Sequence, residues 1–149
     1  MDIAILGDIS KSMRKKLRKA LIEVVHQLIG ELGPSSDGYR FALGTFGSDG
    51  KIEFNFKDSK SYNEGPLKEA IKKEINYRPK KYGTRTDIAM DKAARELYTP
   101  EGGDRPEARN LMLVITDGKP VKKRWDKKPF IPFDKTTEIL EVIEFSFYQ

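Results

Sequence analysis

Three groups of small polar residues stand where an apolar run meets a turn. The first is Asp8-Ile9-Ser10-Lys11-Ser12, one carboxylate and two hydroxyls at alternate positions. The second is Gly83-Thr84-Arg85-Thr86-Asp87, and the third is Thr116-Asp117-Gly118. Their side chains offer oxygen, so the chemistry that suits them is ligation of a hard divalent cation. Taken alone, Asp8, Ser10 and Ser12 also read as ordinary helix caps, because Asp and Ser are favoured at helix starts. Thr86 reads as a cap or a supporting hydroxyl, and Asp87 as a first-turn acid favoured by the helix dipole.

Other chemistries have less to stand on. The chain has no cysteine, which excludes disulfides, thiolate metal sites and cysteine nucleophiles. His26 is its single histidine and falls beside Val25 in a helical pattern, so a packed or surface role is expected. No Gly-x-x-x-x-Gly-Lys loop is present, and no general base is separately indicated for a metal-activated water. A non-enzymatic protein is therefore expected.

The elements that must position the three groups follow from periodicity. Residues 3–7 read as a buried strand. Residues 13–32 read as a helix burying Met13, Leu17, Leu21, Val24, Val25, Leu28 and Leu32, with Lys11, Arg14, Lys15, Lys16, Arg18 and Lys19 toward solvent. Gly33-Pro34 stops it. Residues 39–46 alternate as a strand, Ser48-Asp49-Gly50 is a hairpin turn, and residues 51–57 form an antiparallel edge strand. Residues 58–66 read as loop. Residues 67–75 form a short helix with Leu67, Ala70, Ile71 and Ile75 inward. A further helix follows Asp87, burying Ile88, Met90, Ala93, Ala94 and Leu97. Residues 110–116 are the most continuously apolar strand, as expected at the centre of a parallel sheet. Beyond them, residues 121–132 are basic, 136–140 read as a short helical turn and 142–148 as a last strand.

This order predicts one α/β domain over residues 1–149. Its sheet is open, mostly parallel and Rossmann-like, with one antiparallel edge strand and helices on both faces. In such sheets ligands sit beyond the carboxyl ends of the strands, where the first and third polar groups fall; Thr84 and Thr86 open a helix and reach the same rim if that helix packs on the sheet in the usual way.

Asp8-x-Ser10-x-Ser12, Gly83-Thr84-x-Thr86 and Thr116-Asp117-Gly118, in that order, resemble the von Willebrand factor A domain, the integrin inserted domain, with its metal-ion-dependent adhesion site (MIDAS). The likeness runs from about residue 2 to residue 118. It implies a metal site of Asp8, Ser10, Ser12, Thr84 and Asp117. The hydroxyls of Ser10 and Ser12 would ligate, Thr84 would ligate directly in one state and through water in another, and Asp8 and Asp117 would act largely through waters and hydrogen bonds. It implies Mg²⁺, with Mn²⁺ or Ca²⁺ as alternatives, left electrophilic enough to take a partner's carboxylate. It also implies cell adhesion or protein binding in an extracellular, secreted or matrix setting, with an acidic residue supplied by collagen or another matrix protein. The alternative is a cytoplasmic assembly module in a protein or nucleoprotein complex. Past Gly118 the likeness weakens. The family continues with a helix, a glycine-rich strand and a closing helix, so the chain is expected to be C-terminally short and without a conformational switch.

Composition sets the remaining bounds. The 149 residues are 38% hydrophobic and 34% charged, with a net charge of +5. No apolar run approaches the roughly 20 residues needed to span a bilayer. The acidic start Met1-Asp2 and the short run ending at Gly7 do not resemble a secretory signal. Two basic clusters, Arg14 to Lys16 and Lys122 to Lys128 around Trp125, suit phosphate or sulfate. A solvated loop is the commoner meaning of such a run, so nucleic acid is not the expected partner. Placed beside the metal rim, the second cluster would instead steer acidic partners to it.

Overall fold

The computed structural model describes residues 1–132 and 141–146. Its elements are β1 (Asp2–Asp8), α1 (Lys15–Leu32), β2 (Arg40–Phe46), β3 (Gly50–Phe54), a 3-10 turn (Ser59–Tyr62), α2 (Glu64–Ile75), α3 (Thr86–Glu96), β4 (Asn110–Thr116) and β5 (Glu141–Ser146). The strands form one sheet in the order β3-β2-β1-β4-β5. β1 pairs in parallel with β2 and with β4, and β4 pairs in parallel with β5. Only β3 runs antiparallel, on the edge beside β2.

Strand β1 organises the packing. All seven of its residues are buried. Ile3 and Ile5 point into a layer with Leu21, Val25 and Ile29 of α1 and with Leu67, Ile71 and Ile75 of α2. Ala4 and Leu6 point the other way, into a layer with Ala89, Met90 and Ala93 of α3. Alternation along a strand buried on both faces thus puts helices on both faces. α3 lies close on the edge strand, since a Cβ at Gly50 would come within 2.9 Å of the Ala89 Cα. α1 ends at Gly33, whose φ of 66° is the left-handed conformation that glycine adopts without a Cβ penalty.

Several sequence expectations need correction. The buried stripe of α1 is Arg18, Leu21, Val25 and Ile29, whereas Val24 is 46% exposed. Met13 precedes the helix in a turn, so its burial does not set the phase of the helical face. Arg18, expected in solvent, occupies a stripe position and is buried. In α3, Ala89 takes the core position, while Ile88 and Ala94 are half-buried. Strand β3 ends at Phe54 rather than residue 57, because the chain turns there. Asn55 Oδ1 accepts the Lys57 amide, and the Phe56 amide turns to the Gly102 carbonyl. Residues 58–66 hold the 3-10 turn and the first turn of α2 instead of plain loop. The middle strand is β1, not β4, although β4 is also flanked on both sides. The expected helical turn at 136–140 lies outside the described residues.

Candidate metal-binding cleft

The strand order reverses beside β1: the chain leaves β1 toward β2 and β3, then returns to β4 on the other side. A crevice opens at such a reversal, beyond the carboxyl ends of the two strands. Asp8 is the last residue of β1 and Thr116 the last of β4, in adjacent parallel register. The loop after β1 and the residue after β4 therefore meet although more than a hundred positions separate them in sequence.

Asp8 is fully buried, and both of its carboxylate oxygens are engaged. One accepts the Ser10 amide at 2.7 Å, and the other accepts the Thr116 hydroxyl at 2.7 Å. Burial pushes its pKa from 3.8 to about 6, against the hydrogen bonds from Ser10 and Thr116 and with the Asp117 charge adding to the rise. The Ser12 hydroxyl donates to Asp117 Oδ1 at 3.1 Å. Ser10 Oγ lies 2.9 Å from Ser12 Oγ, and since the Ser12 proton is used on Asp117, Ser10 is the donor there. The Ser10 proton is thus spent on Ser12 Oγ and the Ser12 proton on Asp117, so each hydroxyl oxygen keeps a lone pair free of its own proton. None of these side chains caps α1, whose N-cap Arg14 makes no side-chain cap bond. The capping alternative fails.

Thr84 joins them from the other side. Its backbone exchanges two hydrogen bonds with Val121, at 2.9 and 2.8 Å, and its neighbour Arg85 donates its amide to the Gly47 carbonyl at 2.7 Å. A cleft of about 320 Å³ results, lined by Ser10, Ser12, Thr84, Lys11, Tyr82 and Lys123 among others. Asp8 and Asp117 do not line it. All five residues expected from the sequence thus gather around one crevice, hydroxyls in front and carboxylates behind. Thr86 departs from expectation: it opens α3, yet its Oγ1 is buried without a partner and makes no cap bond.

The donor set suits a hard cation. Among the described residues neither Asp8 nor Asp117 has an ion-pair partner, so the site carries negative charge that no side chain neutralises. Among the described residues no group of three or more His, Cys, Asp or Glu gathers to hold a metal, so hydroxyl oxygens must supply most of any ligation.

Two features escaped sequence reasoning. The Thr116 hydroxyl orients Asp8, a role only the β1–β4 pairing reveals. The larger omission is Arg85, fully buried between Thr84 and Thr86 in the chain. Its guanidinium donates to both Asp87 oxygens at 2.9 and 2.8 Å and to Asp126 at 2.7 Å. It also donates to the carbonyls of Lys128 and Pro129 at 3.1 and 2.7 Å. Asp87 is therefore an ion-pair partner as well as a first-turn acid, and it accepts the Ile131 amide at 2.9 Å. Burial works to raise the Asp87 pKa, but Arg85 and the Ile131 amide outweigh it and hold it below the usual carboxylate value. Arg85 likewise lowers Asp126. This cluster straps residues 126–131 to the start of α3. His26, as expected, is a packed residue, its Nε2 2.9 Å from the Lys68 carbonyl oxygen.

An open sheet with this reversal, and a hydroxyl-rich crevice at its carboxyl edge, define the class. The chain belongs to the von Willebrand factor type A domain family, whose sequence model matches residues 2–139. It is 27% identical to matrilin-3 of Gallus gallus over 80% of its own length and 26% of that protein's. It is 30% identical to von Willebrand factor A domain-containing protein 1 of Mus musculus, over 78% of this chain and 27% of the relative. The chain thus spans about a quarter of the length of these curated relatives. Among solved structures, proximal thread matrix protein 1 from the mussel byssus, with a zinc-occupied MIDAS motif, superposes with a TM-score of 0.76. The match has 20% identity and covers 96% of this chain and 37% of that one. Manganese-loaded Plasmodium vivax TRAP protein gives 0.73 at 20% identity, over 98% of this chain and 57% of that one.

Proposed function

We propose that this domain is a non-enzymatic binding module in which Ser10, Ser12 and Thr84 hold a divalent cation, with Asp8 and Asp117 behind them. The observation that carries the proposal is the orientation of the Ser10 and Ser12 hydroxyls, the Ser10 proton being spent on Ser12 Oγ and the Ser12 proton on Asp117. Their lone pairs are thereby presented to the cleft. The buried Asp8 carboxylate, fixed by Ser10 and Thr116, supplies charge from the second layer. A cation bound mainly by neutral oxygens stays electrophilic and takes a carboxylate from a protein ligand as a further ligand. Mg²⁺ is the proposed ion, with Mn²⁺ and Ca²⁺ as alternatives; two structural relatives are a zinc-occupied and a manganese-loaded protein. An extracellular matrix or adhesion setting is proposed from the family likeness and from the mussel relative, which is named a thread matrix protein.

Thermal unfolding in EDTA and across Mg²⁺ and Mn²⁺ concentrations, for wild type and Asp117→Ala, tests the site. An ion that binds the native state alone stabilises it by about 2.7 kcal/mol at a hundred times its Kd. The wild-type midpoint should rise with metal and the variant's should not. Equal midpoints at every metal concentration, in both proteins, would remove the cation from the mechanism.

A further inference from the structure

The cleft has a rim whose character the five metal-site residues do not explain. Lys11 stands 3.6 Å above the Tyr82 ring, Lys81 lies 5.3 Å from the Trp125 ring and Lys122 6.0 Å from that of Phe130. Lys123 and Val121 line the cleft itself. The aromatic rings are open to solvent: Tyr82 is 55%, Trp125 48% and Phe130 50% exposed, as is 41% of Val121. Exposed apolar groups interleaved with lysines, beside a concave site, are the mark of a recognition surface rather than a merely solvated loop.

The charge on this rim is left available by the cluster beneath it. Asp126 is the only acid between Val121 and Phe130, and it is committed to the buried Arg85. Lys128 faces Asp49 at 3.4 Å. Among the described residues Lys119, Lys122, Lys123, Arg124 and Lys127 form no salt bridge, although Lys122 adds to the positive field on Asp126. The aromatic rings hold lysine heads over their faces, which reduces the freedom a ligand must freeze out when it pairs with them. The strap from Arg85 to the Lys128 and Pro129 carbonyls fixes the segment that carries them.

We infer that the partner of this cleft is a multiply acidic peptide segment. One carboxylate goes to the cation site, flanking acids meet Lys11, Lys122 and Lys123, and an apolar side chain packs against Tyr82 and Val121. The inference rests on the cation reading above and adds to it the chemistry of the flanking residues. A sulfated glycan would match the lysines but offers no apolar side chain to the exposed rings, so the peptide fits the surface better. Rim charges of this kind act chiefly on the association rate and on salt dependence. The acids therefore steer the ligand, and the cation site anchors it.

The test uses the full chain and two labelled peptides. One has alternating Asp and Glu around a central Leu; the other keeps a single Asp, with the remaining acids changed to Asn or Gln. Binding is followed by anisotropy and stopped flow, in Mg²⁺ and in EDTA, for wild type, Lys123→Glu with Lys11→Glu, and Asp117→Ala. Both lysines are exposed, so the charge reversal leaves folding intact, and circular dichroism checks this. In Mg²⁺ the multiply acidic peptide should bind wild type about tenfold faster than the single-acid peptide, within the range electrostatic steering supplies. That advantage should vanish in the charge-reversed variant and shrink as salt is raised. Equal rates for the two peptides on wild type would overturn the proposal, as would heparin binding more tightly than either peptide. Binding that ignores both EDTA and Asp117→Ala, yet still depends on the lysines, would overturn the cation reading and identify the rim alone as the site.

Discussion

Replacing Arg85 by Met retains most of the side-chain volume and removes the charge at the centre of the strap. Arg85 and Asp87 are both fully buried, and Asp87 is left with the Ile131 amide as its remaining partner from this cluster. Removing one member of a buried pair costs about 3–5 kcal/mol, because the other charge stays buried uncompensated. Arg85 makes five hydrogen bonds to carboxylates and carbonyls, so the upper part of that range is expected. For a chain of this size each kcal/mol lowers the midpoint by roughly 2–4 °C, which puts Arg85→Met roughly 10–15 °C below wild type. Urea unfolding followed by circular dichroism, with Trp125 fluorescence as a second probe on the strap, gives the free energy. Adding Asp87→Asn to Arg85→Met should restore much of the loss, since the penalty comes from the orphaned charge rather than from the missing contact. A loss under about 1 kcal/mol, or a double variant no better than the single, would refute the reasoning.

The same cluster predicts an acid limb. Arg85 holds Asp87 and Asp126 below the ordinary carboxylate range, so their contribution to stability is present above about pH 4 and is lost as pH falls through their folded values. Urea midpoints of wild type should drop below pH 4 more steeply than those of Asp87→Asn/Asp126→Asn, and parallel acid limbs would contradict this. Gly83 has a φ of 143°, a region essentially restricted to glycine, and a Cβ there would sit 3.2 Å from the Ser48 Cα. Gly83→Ala should cost about 1–3 kcal/mol and weaken Mg²⁺ stabilisation through Thr84, as measured by unfolding with and without metal. Val24→Ala should stay within about 0.5 kcal/mol of wild type, whereas Ile29→Ala should cost about 2–5 kcal/mol. Chemical denaturation of the pair distinguishes the observed face of α1 from the one its apolar spacing suggests.

The sequence by itself determined the class of fold, and its resemblance to the von Willebrand factor A family pointed to the five oxygen-bearing residues proposed for the cation. The fold follows from local physics: a two-sided apolar run forces β1 and β4 into a covered parallel sheet, and polar residues at or directly after the ends of such strands, as at Asp8 and Asp117, fall on the carboxyl edge. The antiparallel edge was legible for the same reason, because alternation and a Ser-Asp-Gly turn are both local signals. Tertiary structure alone decided what depends on distant pairing. Thr116 can steady Asp8 only because β4 lies beside β1, and hydrophobic spacing could not tell Val24 from Ile29 until the sheet chose one face of α1. Arg85 and Asp126 look in sequence like two more charges in a chain where a third of residues are charged. Folding withdraws them from water, and burial turns an ordinary surface pair into the strap that carries a basic, aromatic rim to the mouth of the cleft.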